Sequence, residues 1–530
     1  MTAGTWDHVV VGAGSAGAVV AGRLAADGHR VLLLEAGADQ PTDPSTPNPL
    51  RDGTRLILEG HNWDYQANLR ARGPARAGAR ERPARALWGR FPYRLGKVVG
   101  GSSSVNGAVA MRALPRDFAE WVARGNPDWS WDDVLPFYRQ VESDTDAADG
   151  DGPIPVRRPK REQLHELDRA FWDECNRLGL PDVQDLNRSS CTGVGAVPAN
   201  TVGRERVDAA AGYLDPVRGL ANLEIRTGTH VTRVLFDGNR ATGVEVVRDN
   251  QLTPILADNV VLSAGAIGSP VILLRSGVGS ARRSAELGVT SVADLPGVGE
   301  NLVDHPSVVI WAKPRDGLCT PGIPWRQVAA RMASGVAGGA DSHDADLQLW
   351  LLNNVESATI PGFANRLDWP MIMGISVMLL RPESRGRVSL VDAEPGTSPT
   401  IELGFGSVDD DVERLAWGVR RAWQVLRSPA FADRLTDIQL WNDGMVADDT
   451  VLRSAVRNVM SPGWHAIGSA RMGPATDPMS VVDQGCRVHG VEALRVVDAS
   501  VFPAMPSAPT NLTTMMLAEK VVSGIRAGTR

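Results

Sequence analysis

The sequence predicts a mixed α/β fold, because buried strand patterns and helical patterns alternate along it. Near the start, a β-branched run at 9–11 leads through a glycine-rich turn into a helical pattern at 18–26 and a second apolar strand at 30–35. The same order of strand, glycine turn and helix recurs at 259–279. Strands that alternate with helices in this way are typical of a Rossmann-like α/β domain.

The first glycine-rich turn fits the pattern GxGxxG. Gly12 permits the tight turn, Gly14 lets the backbone approach a pyrophosphate, and Gly17 lets the helix lie close to the strand. The helix N-terminus adds unpaired N–H groups and a positive dipole end. Glu35 follows about 20 residues later, where a carboxylate can accept hydrogen bonds from ribose hydroxyls. A glycine turn without a ligand is the alternative, but the complete order favours a bound nucleotide, either NAD or FAD.

Composition excludes several other classes of protein. The 530 residues suffice for two or more cores, and the net charge of −7 argues against a general nucleic-acid binder. No apolar run approaches ~20 residues, so no membrane span is predicted. The chain enters its first strand without a secretory signal, so we expect no upstream domain and a cytoplasmic location. Scattered cysteines without CxxC spacing predict reduced thiols and no metal site: Cys175, Cys191, Cys319 and Cys486.

Several other segments carry local predictions. The segment 70–94 contains eight arginines among glycines and prolines, which indicates either a solvated loop or a lid that presents cations to a cofactor. The segment 144–155 is typical of a flexible linker. Asp237 and Gly238 predict a hairpin turn between two strands. Further predicted elements are a strand at 371–380 and helices at 409–426 and 512–526.

Two longer motifs and a C-terminal block resemble one enzyme family. The motifs are GKVVGGSSSVNGAVAMRA at 96–113 and GAIGSPVILLRSGVG at 265–279, which resemble the signature patterns of the glucose–methanol–choline (GMC) flavoprotein oxidoreductases. The block that begins GWHAIGSARMG at 463 resembles that family's active-site segment, so the resemblance extends over 7–520. Within the family, PRDFAEW at 115–121 and WHA at 464–466 resemble bacterial choline-dehydrogenase-like and hydroxymethylfurfural-oxidase-like members.

The resemblance implies a cofactor, a reaction and a domain plan. It implies FAD rather than NAD, oxidation of an alcohol with hydride transfer to flavin N5, and reoxidation by O₂ or another electron acceptor. Val105 stands where some relatives carry a histidine that binds FAD covalently, so we predict non-covalent FAD. The implied FAD-binding domain comprises 1–155, 200–305 and 463–530; the substrate-binding domain, with an antiparallel sheet flanked by helices, comprises 156–199 and 306–462.

His465 is the predicted catalytic base. The resemblance places it over the flavin, and a neutral imidazole has a suitable pKa for taking a hydroxyl proton. Asn511 is its predicted partner, because a carboxamide cannot act as a base but can hydrogen-bond to the substrate oxygen. A plain helix cap is the alternative for Asn511. The other histidines, including His305 and His489, are predicted to be structural.

The predicted cofactor contacts combine the glycine turn with the resemblance. The N-terminus of the last helix is expected to stabilise negative charge at the flavin N1–C2=O edge. Trp464 is expected to flank flavin and substrate, with core packing as the alternative. The full set is Gly12, Gly14, Ser15, Ala16, Glu35, Ala36, Trp63, Val98, Gly101, Ser102, Asn106, Ala108, Val109, Val231, Ala264, Trp464, Asp498, Ala499, Asn511 and Leu512.

The substrate is predicted from the aromatic residues of the second domain. Trp350, Trp369, Met371 and Trp464, with Phe363, are expected to line a pocket for an apolar or aromatic primary alcohol, which is oxidised to the aldehyde or, through its hydrate, onward to the acid. A choline or polyol dehydrogenase is one alternative, although choline requires an aromatic cage and a carboxylate, for which Glu356 is the candidate. A hydroxynitrile-lyase-like activity without net redox and a catalytically idle flavoprotein are the others.

Overall fold

The computed structural model describes residues 6–41, 46–55, 60–70, 90–188, 192–248, 251–336, 345–360 and 368–528. Most of the arginine-rich segment, Phe363 and Cys191 lie outside these ranges. The helices are α1 (Ser15–Ala26), α2 (Ser102–Val105), α3 (Pro115–Ala123), α4 (Trp131–Val141), α5 (Glu166–Arg177), α6 (Gly265–Arg275), α7 (Ala281–Glu286), α8 (Asp409–Leu426), α9 (Pro429–Ala432), α10 (Asp443–Ala447), α11 (Asp449–Val459) and α12 (Thr510–Arg526).

Short strands accompany the longer ones throughout the described chain. They are β1 (Trp6–Val11), β2 (Val31–Leu34), β3 (Gln66–Asn68), β4 (Phe91–Pro92), β5 (Glu142–Asp144), β6 (Ile154–Val156), β7 (Gly193–Ala196), β8 (Thr201–Val202), β9 (Glu205–Arg206), β10 (Leu223–Arg226), β11 (His230–Asp237), β12 (Arg240–Arg248), β13 (Gln251–Leu262), β14 (Val278–Gly279), β15 (Ala293–Asp294), β16 (Pro306–Pro314), β17 (Val328–Met332), β18 (Leu347–Glu356), β19 (Met371–Leu379), β20 (Arg387–Ser389), β21 (Thr400–Glu402), β22 (Leu435–Ile438), β23 (Ser461–Pro462) and β24 (Leu494–Val496).

The first large sheet carries the glycine turn. Its order is β10-β2-β1-β13-β12-β11, with β24 also paired to β13, and the pairs around β1, β2, β10 and β24 are parallel. Val10 lies opposite Leu33 and Val261, and all three are buried, as expected for strands covered on both faces. Since β1, β2 and β13 end at Val11, Leu34 and Leu262, the turns that follow them meet at one edge of the sheet. The predicted α/β fold is confirmed, and so is the hairpin, which joins β11 to β12.

The second large sheet is antiparallel. Its order is β22-β16-β19-β18-β17-β7, with β23 on β16, and α8 packs against β16, β18 and β19. The strand predicted at 371–380 and the helix predicted at 409–426 are confirmed as β19 and α8. The two large sheets draw their residues from the two sets of ranges assigned to the FAD-binding and substrate-binding domains; the exact domain boundaries stay a prediction.

The prediction of a flexible linker at 144–155 is wrong. β5 and β6 pair in parallel across this segment, and Asp144 also pairs with Asp149 through backbone hydrogen bonds. The Asp144 carboxylate is buried and forms an ion pair with Arg158 at 2.8 Å. The polar and glycine-rich composition therefore encodes an ordered turn, in which Asp144, Asp146 and Asp149 form ion pairs with arginines.

The N-terminal and C-terminal parts of the described chain meet through α1 and α12. The two helices pack side by side, and Arg23 on α1 donates to the buried carboxylate of Glu519 on α12 at 2.7 Å. At the opposite ends of these helices, the Ser15 hydroxyl donates to the Asn511 carboxamide oxygen at 2.7 Å. The two helix N-termini are therefore held next to each other.

Two further features bear on cofactors and location. None of the helices in the described ranges combines the length and apolar character needed to cross a bilayer. Within the same ranges, no group of three or more His, Cys, Asp and Glu side chains is arranged to hold a metal ion. Cys175, Cys319 and Cys486 are buried free thiols.

Candidate active site

A cavity of about 750 Å³ is lined by residues of both large sheets. It begins where the turns after β1, β2 and β13 meet, and it reaches side chains of β16 and β19. The predicted cofactor residues that line it are Gly12, Gly14, Ser15, Ala16, Glu35, Ala36, Trp63, Gly101, Ser102, Asn106, Val109, Val231, Ala264, Trp464, Asp498, Ala499 and Asn511, and His465 lines it as well.

Three of the predicted cofactor residues, all of them described by the structure, do not line the cavity. Val98 is fully buried in a small apolar cluster with Leu50. The side chain of Ala108 is buried, and its backbone N–H donates to Asn106 Oδ1 at 2.9 Å. Leu512 belongs to the main apolar core. Each of these residues is adjacent in the sequence to a residue that lines the cavity, and its contact with the cofactor stays a prediction.

Three predicted substrate residues are also absent from the described cavity wall. Met371 points to the face of β19 opposite Ser376 and Met378, which do line the cavity, because side chains alternate along a strand. Trp350 is fully buried, and the guanidinium of Arg326 covers its ring at 4.6 Å. Trp369 packs against the apolar cluster that contains Trp350. Of the predicted pocket residues, Trp464 is the one found in the wall.

The part of the cavity near the glycine turn fits a dinucleotide. Gly12 has φ +95°, and a Cβ there would lie 2.5 Å from the Ser263 carbonyl oxygen. A Cβ on Gly17 would lie 1.8 Å from the Gly12 oxygen, so the close approach of α1 to β1 requires glycine. α1 has no acidic residue in its first turn and no side-chain cap, which leaves its N-terminal N–H groups to bind a phosphate.

Two carboxylates in this part are fixed by backbone groups. Glu35 accepts hydrogen bonds from the N–H groups of Ala13 at 2.9 Å and Gly37 at 2.8 Å, which orients its remaining lone pairs at the end of β2. Asp498 accepts from the N–H of Gly265 at 2.9 Å, at the start of α6, and from the Ser269 hydroxyl. The Asp498 side chain thus binds the protein at the start of α6, and its contact with the cofactor stays a prediction.

The hydrogen bonds around His465 define the protonation of its ring. His305 Nε2 lies 3.1 Å from the Leu380 oxygen and 3.0 Å from the Pro506 oxygen. Carbonyl oxygens only accept, so this nitrogen carries a proton. Burial lowers the pKa of His305 to about 4, so the ring is neutral and its Nδ1 is an acceptor. That Nδ1 lies 2.9 Å from His465 Nδ1, which must therefore donate.

His465 is consequently held with its proton on Nδ1 and an unprotonated Nε2. Burial, the nearby His305 and the positive charge of Arg326 lower the pKa of His465 well below its ordinary value, so the ring is neutral near pH 7. Gly463 keeps room for this contact, because a Cβ there would lie 2.9 Å from His465 Nδ1 and 3.2 Å from His305 Cβ. A neutral imidazole with a free Nε2 is a competent general base.

The backbone of the His465 loop is fixed by a buried acid. The His465 N–H donates to Asp304 Oδ1 at 2.9 Å, and the Tyr93 hydroxyl donates to Asp304 Oδ2 at 2.6 Å. Burial raises the pKa of Asp304 to about 7. Trp464 adopts φ +59°, an uncommon conformation for a bulky residue, and its side chain is 36% exposed and lines the cavity. The core-packing alternative for Trp464 is therefore wrong.

Asn511 lies in the first turn of α12. The N-cap of this helix is Pro509, so the helix-cap alternative for Asn511 is wrong. Its oxygen accepts the hydrogen bond from Ser15, which leaves the amide nitrogen to donate to a ligand in the cavity. The first turn of α12 contains no acidic residue, so its positive dipole end is not neutralised within the helix.

Two functional residues are not recognisable in the sequence. His305 is predicted there to be a structural histidine, although in the fold it selects the tautomer of His465. Arg326 lines the cavity and carries no sequence prediction. Nothing in the local pattern around either residue marks it, because both act on a side chain more than a hundred positions away in the sequence.

Comparisons with known proteins point to one family. The family model described as GMC oxidoreductase matches residues 6–307 with its N-terminal part and 382–518 with its C-terminal part. The 5-(hydroxymethyl)furfural oxidase of Methylovorus sp. (strain MP688) is 36% identical over 551 residues, covering 99% of each chain. The oxygen-dependent choline dehydrogenase of Photobacterium profundum is 31% identical and covers 99% of this chain and 94% of its own.

A solved structure shows the same architecture over almost the whole length. Pyridoxine 4-oxidase from Mesorbium loti is 28% identical, with a TM-score of 0.85, and the match covers 98% of this chain and 99% of that one. The shared fold, the motifs and the histidine-containing cavity lead to one assignment. The chain belongs to the GMC oxidoreductase family.

Proposed function

We propose that this protein oxidises a primary alcohol to the aldehyde, with His465 as the catalytic base, Asn511 as the donor to the substrate oxygen, and non-covalently bound FAD. The observation that carries the proposal is the hydrogen-bond chain that leaves Nε2 of His465 unprotonated in the cavity wall. Onward oxidation of the aldehyde to the acid, through its hydrate, uses the same groups, because a hydrate again presents a hydroxyl on the reacting carbon.

GMC oxidoreductases bind FAD, and the bound flavin supplies the hydride acceptor. The protein's own residues bind and orient the alcohol. Nε2 of His465 takes the hydroxyl proton, while the Asn511 amide donates to the oxygen on which negative charge develops. The positive charge that His465 gains is shared through Nδ1–H with the neutral ring of His305.

Val105 supports non-covalent attachment of FAD. It lines the cavity beside Asn106 and has no atom that can form a bond to the flavin. We expect that acid precipitation of the holoenzyme leaves the yellow cofactor in the supernatant. Flavin that stays with the precipitated protein would contradict this part of the proposal.

An anaerobic screen tests the reaction. The holoenzyme is mixed with primary alcohols and aldehyde hydrates, and bleaching of the flavin absorbance near 450 nm is followed, then air is admitted. We expect bleaching by aromatic primary alcohols and recovery of the colour on contact with O₂ or an added acceptor. Cleavage of an added cyanohydrin with a flavin that stays oxidised throughout would instead indicate a lyase, and no response to any alcohol or cyanohydrin would indicate an idle flavoprotein.

The choline alternative is disfavoured by a charge in the cavity. A quaternary ammonium group requires an aromatic cage with a nearby carboxylate. Trp325 and Trp350 lie close enough to form such a cage, but the Arg326 guanidinium occupies the place of the cation, 4.1 Å and 4.6 Å from their ring centroids. A second cation would be repelled there.

A further inference from the structure

Arg326 is a cavity-lining cation without a hydrogen-bond acceptor or a carboxylate partner among the described residues. Its guanidinium forms no hydrogen bond or ion pair with them, and its Nε is buried without an acceptor. Burial lowers the pKa of Arg326 to about 9, and no carboxylate offsets that effect. Uncompensated charge in a protein interior is expensive, so such a group indicates a missing anion.

Other buried arginines of the described chain do have partners. Arg414 forms an ion pair with Asp411 at 2.9 Å, and Arg331 donates to the Leu186 carbonyl oxygen at 2.8 Å. The fold therefore satisfies buried guanidinium groups elsewhere. Arg326 differs from them in facing the cavity.

The acids in the described cavity wall do not serve as its partner. Glu35 and Asp498 are bound to backbone N–H groups near the glycine turn and α6, and Asp64 is exposed. Arg326 is instead close enough to His465 to lower the pKa of that ring. The free cation thus belongs to the catalytic part of the cavity.

The position of Arg326 is fixed by the two indoles. The guanidinium lies 4.1 Å from the centroid of Trp325 and 4.6 Å from that of Trp350, both of which are buried. These cation–π contacts stabilise the charge but use none of its five N–H donors. A planar guanidinium held in this way presents a fork of donors that matches a carboxylate.

We propose that Arg326 binds a carboxylate of the substrate, so that the preferred substrates are primary alcohols or aldehydes that carry a carboxylate on the far side of an aromatic ring. This inference rests on the proposed function. It narrows the substrate class from aromatic alcohols to their carboxylate derivatives. The substrate carboxylate would then be the anionic partner of Arg326 that the described protein residues do not supply.

A matched pair of substrates tests the proposal. The holoenzyme is assayed at pH 8 with 4-(hydroxymethyl)benzoate and with its methyl ester, and the ratio of the two kcat/KM values is measured. Because hydrogen bonds to charged groups contribute more than neutral ones, Arg326→Met is expected to lower the ratio of acid to ester by roughly 10- to 100-fold. Arg326→Lys is expected to give an intermediate ratio, because it keeps the charge and loses the fork.

The control is Arg282→Met, which removes the same charge from the surface, where the Arg282 side chain is 89% exposed. It should leave both kcat/KM values unchanged. The proposal is overturned if Arg326→Met changes the ratio of acid to ester by less than about threefold. This holds whether the variant keeps both activities or loses both equally, because neither result shows that Arg326 binds the carboxylate.

A binding measurement separates this proposal from the proposed function. Benzoate, which lacks a reactive hydroxyl, is titrated into the oxidised holoenzyme, and the flavin difference spectrum is recorded. Saturable binding that Arg326→Met weakens supports the carboxylate site even if no alcohol bleaches the flavin, an outcome that would reject only the proposed function. Equal benzoate affinity in both proteins overturns the carboxylate site.

Discussion

The nucleotide-binding part of the cavity and its catalytic part are built in different ways. The first is made largely of backbone: the N-terminus of α1, the close approach at Gly17, and a Glu35 carboxylate held by two N–H groups. The catalytic part is made of side chains, with His305 and Arg326 set around His465. Backbone contacts come from one continuous motif, whereas these side chains come from separate segments that only the fold brings together.

Because of this difference, substitutions in the two parts should impair different properties of the enzyme. A change in the catalytic part should remove turnover and leave FAD bound, and a change in the nucleotide-binding part should weaken FAD binding and spare the chemistry. Variants of each part test whether the division holds.

The largest effect is expected for His465→Ala. Loss of the general base should lower kcat by about 10² to 10⁴-fold, while the ratio of FAD to protein stays that of the wild type. His489→Ala is the matched control and should keep full activity, since the His489 ring bonds to the Gly473 carbonyl oxygen and His489 does not line the cavity in the described chain. A holoenzyme that retains more than about a tenth of its kcat without His465 would reject the assigned base.

The next effect concerns the glycine turn. Gly12→Ala places a Cβ 2.5 Å from the Ser263 oxygen at φ +95°, and strain of roughly 1–3 kcal/mol should weaken FAD binding about 5- to 150-fold. At saturating FAD, kcat should stay near the wild-type value. Gly28→Ala is the control, because Gly28 has φ +91° but a Cβ added there would meet no atom within 4 Å, and its FAD affinity should be unchanged. Equal losses of affinity in both variants would contradict the assigned role.

A smaller effect should follow from His305→Ala. Without the acceptor at His305 Nδ1, the His465 ring can place its proton on either nitrogen, and we expect kcat to fall about tenfold, the equivalent of one hydrogen bond to a charged group. His305→Gln should recover part of this loss, because its oxygen can accept from His465 and its amide can donate to the Leu380 oxygen. Equal activity of the two variants would show that His305 only fills space.

The smallest effect is a displacement of the pH profile. Only neutral His465 accepts a proton, and burial, His305 and Arg326 lower its pKa, so kcat/KM for a neutral alcohol should persist below pH 6.5 before it declines. Removal of the positive charge in Arg326→Met should raise the pKa of His465 and move the acid limb to higher pH. Asp304, which accepts from the backbone N–H of His465, also has a raised pKa, but Arg326 is not among its causes. The substitution should therefore leave the titration of Asp304 unchanged. An unchanged acid limb would mean that Arg326 does not act on His465.

The same comparison explains what the sequence can predict. The glycine turn, α6 and the hairpin at Asp237 follow from local patterns, and each lies where expected. Trp350 is misplaced by the sequence because strand alternation does not reveal that Arg326 covers its ring. His305 is undervalued because its role depends on a ring contributed by residue 465 and on carbonyl oxygens of Leu380 and Pro506. Local rules identify an element, but they do not identify the distant partner on which its chemistry depends.

The pairing of α1 with α12 has a consequence for biosynthesis. Ser15 meets Asn511, and Arg23 meets Glu519, across nearly five hundred residues. On the ribosome, the βαβ unit emerges early but has no α12 to pack against until residues 510–526 have been translated. We therefore expect the face of α1 that packs against α12 to stay uncovered until the last helix has been made.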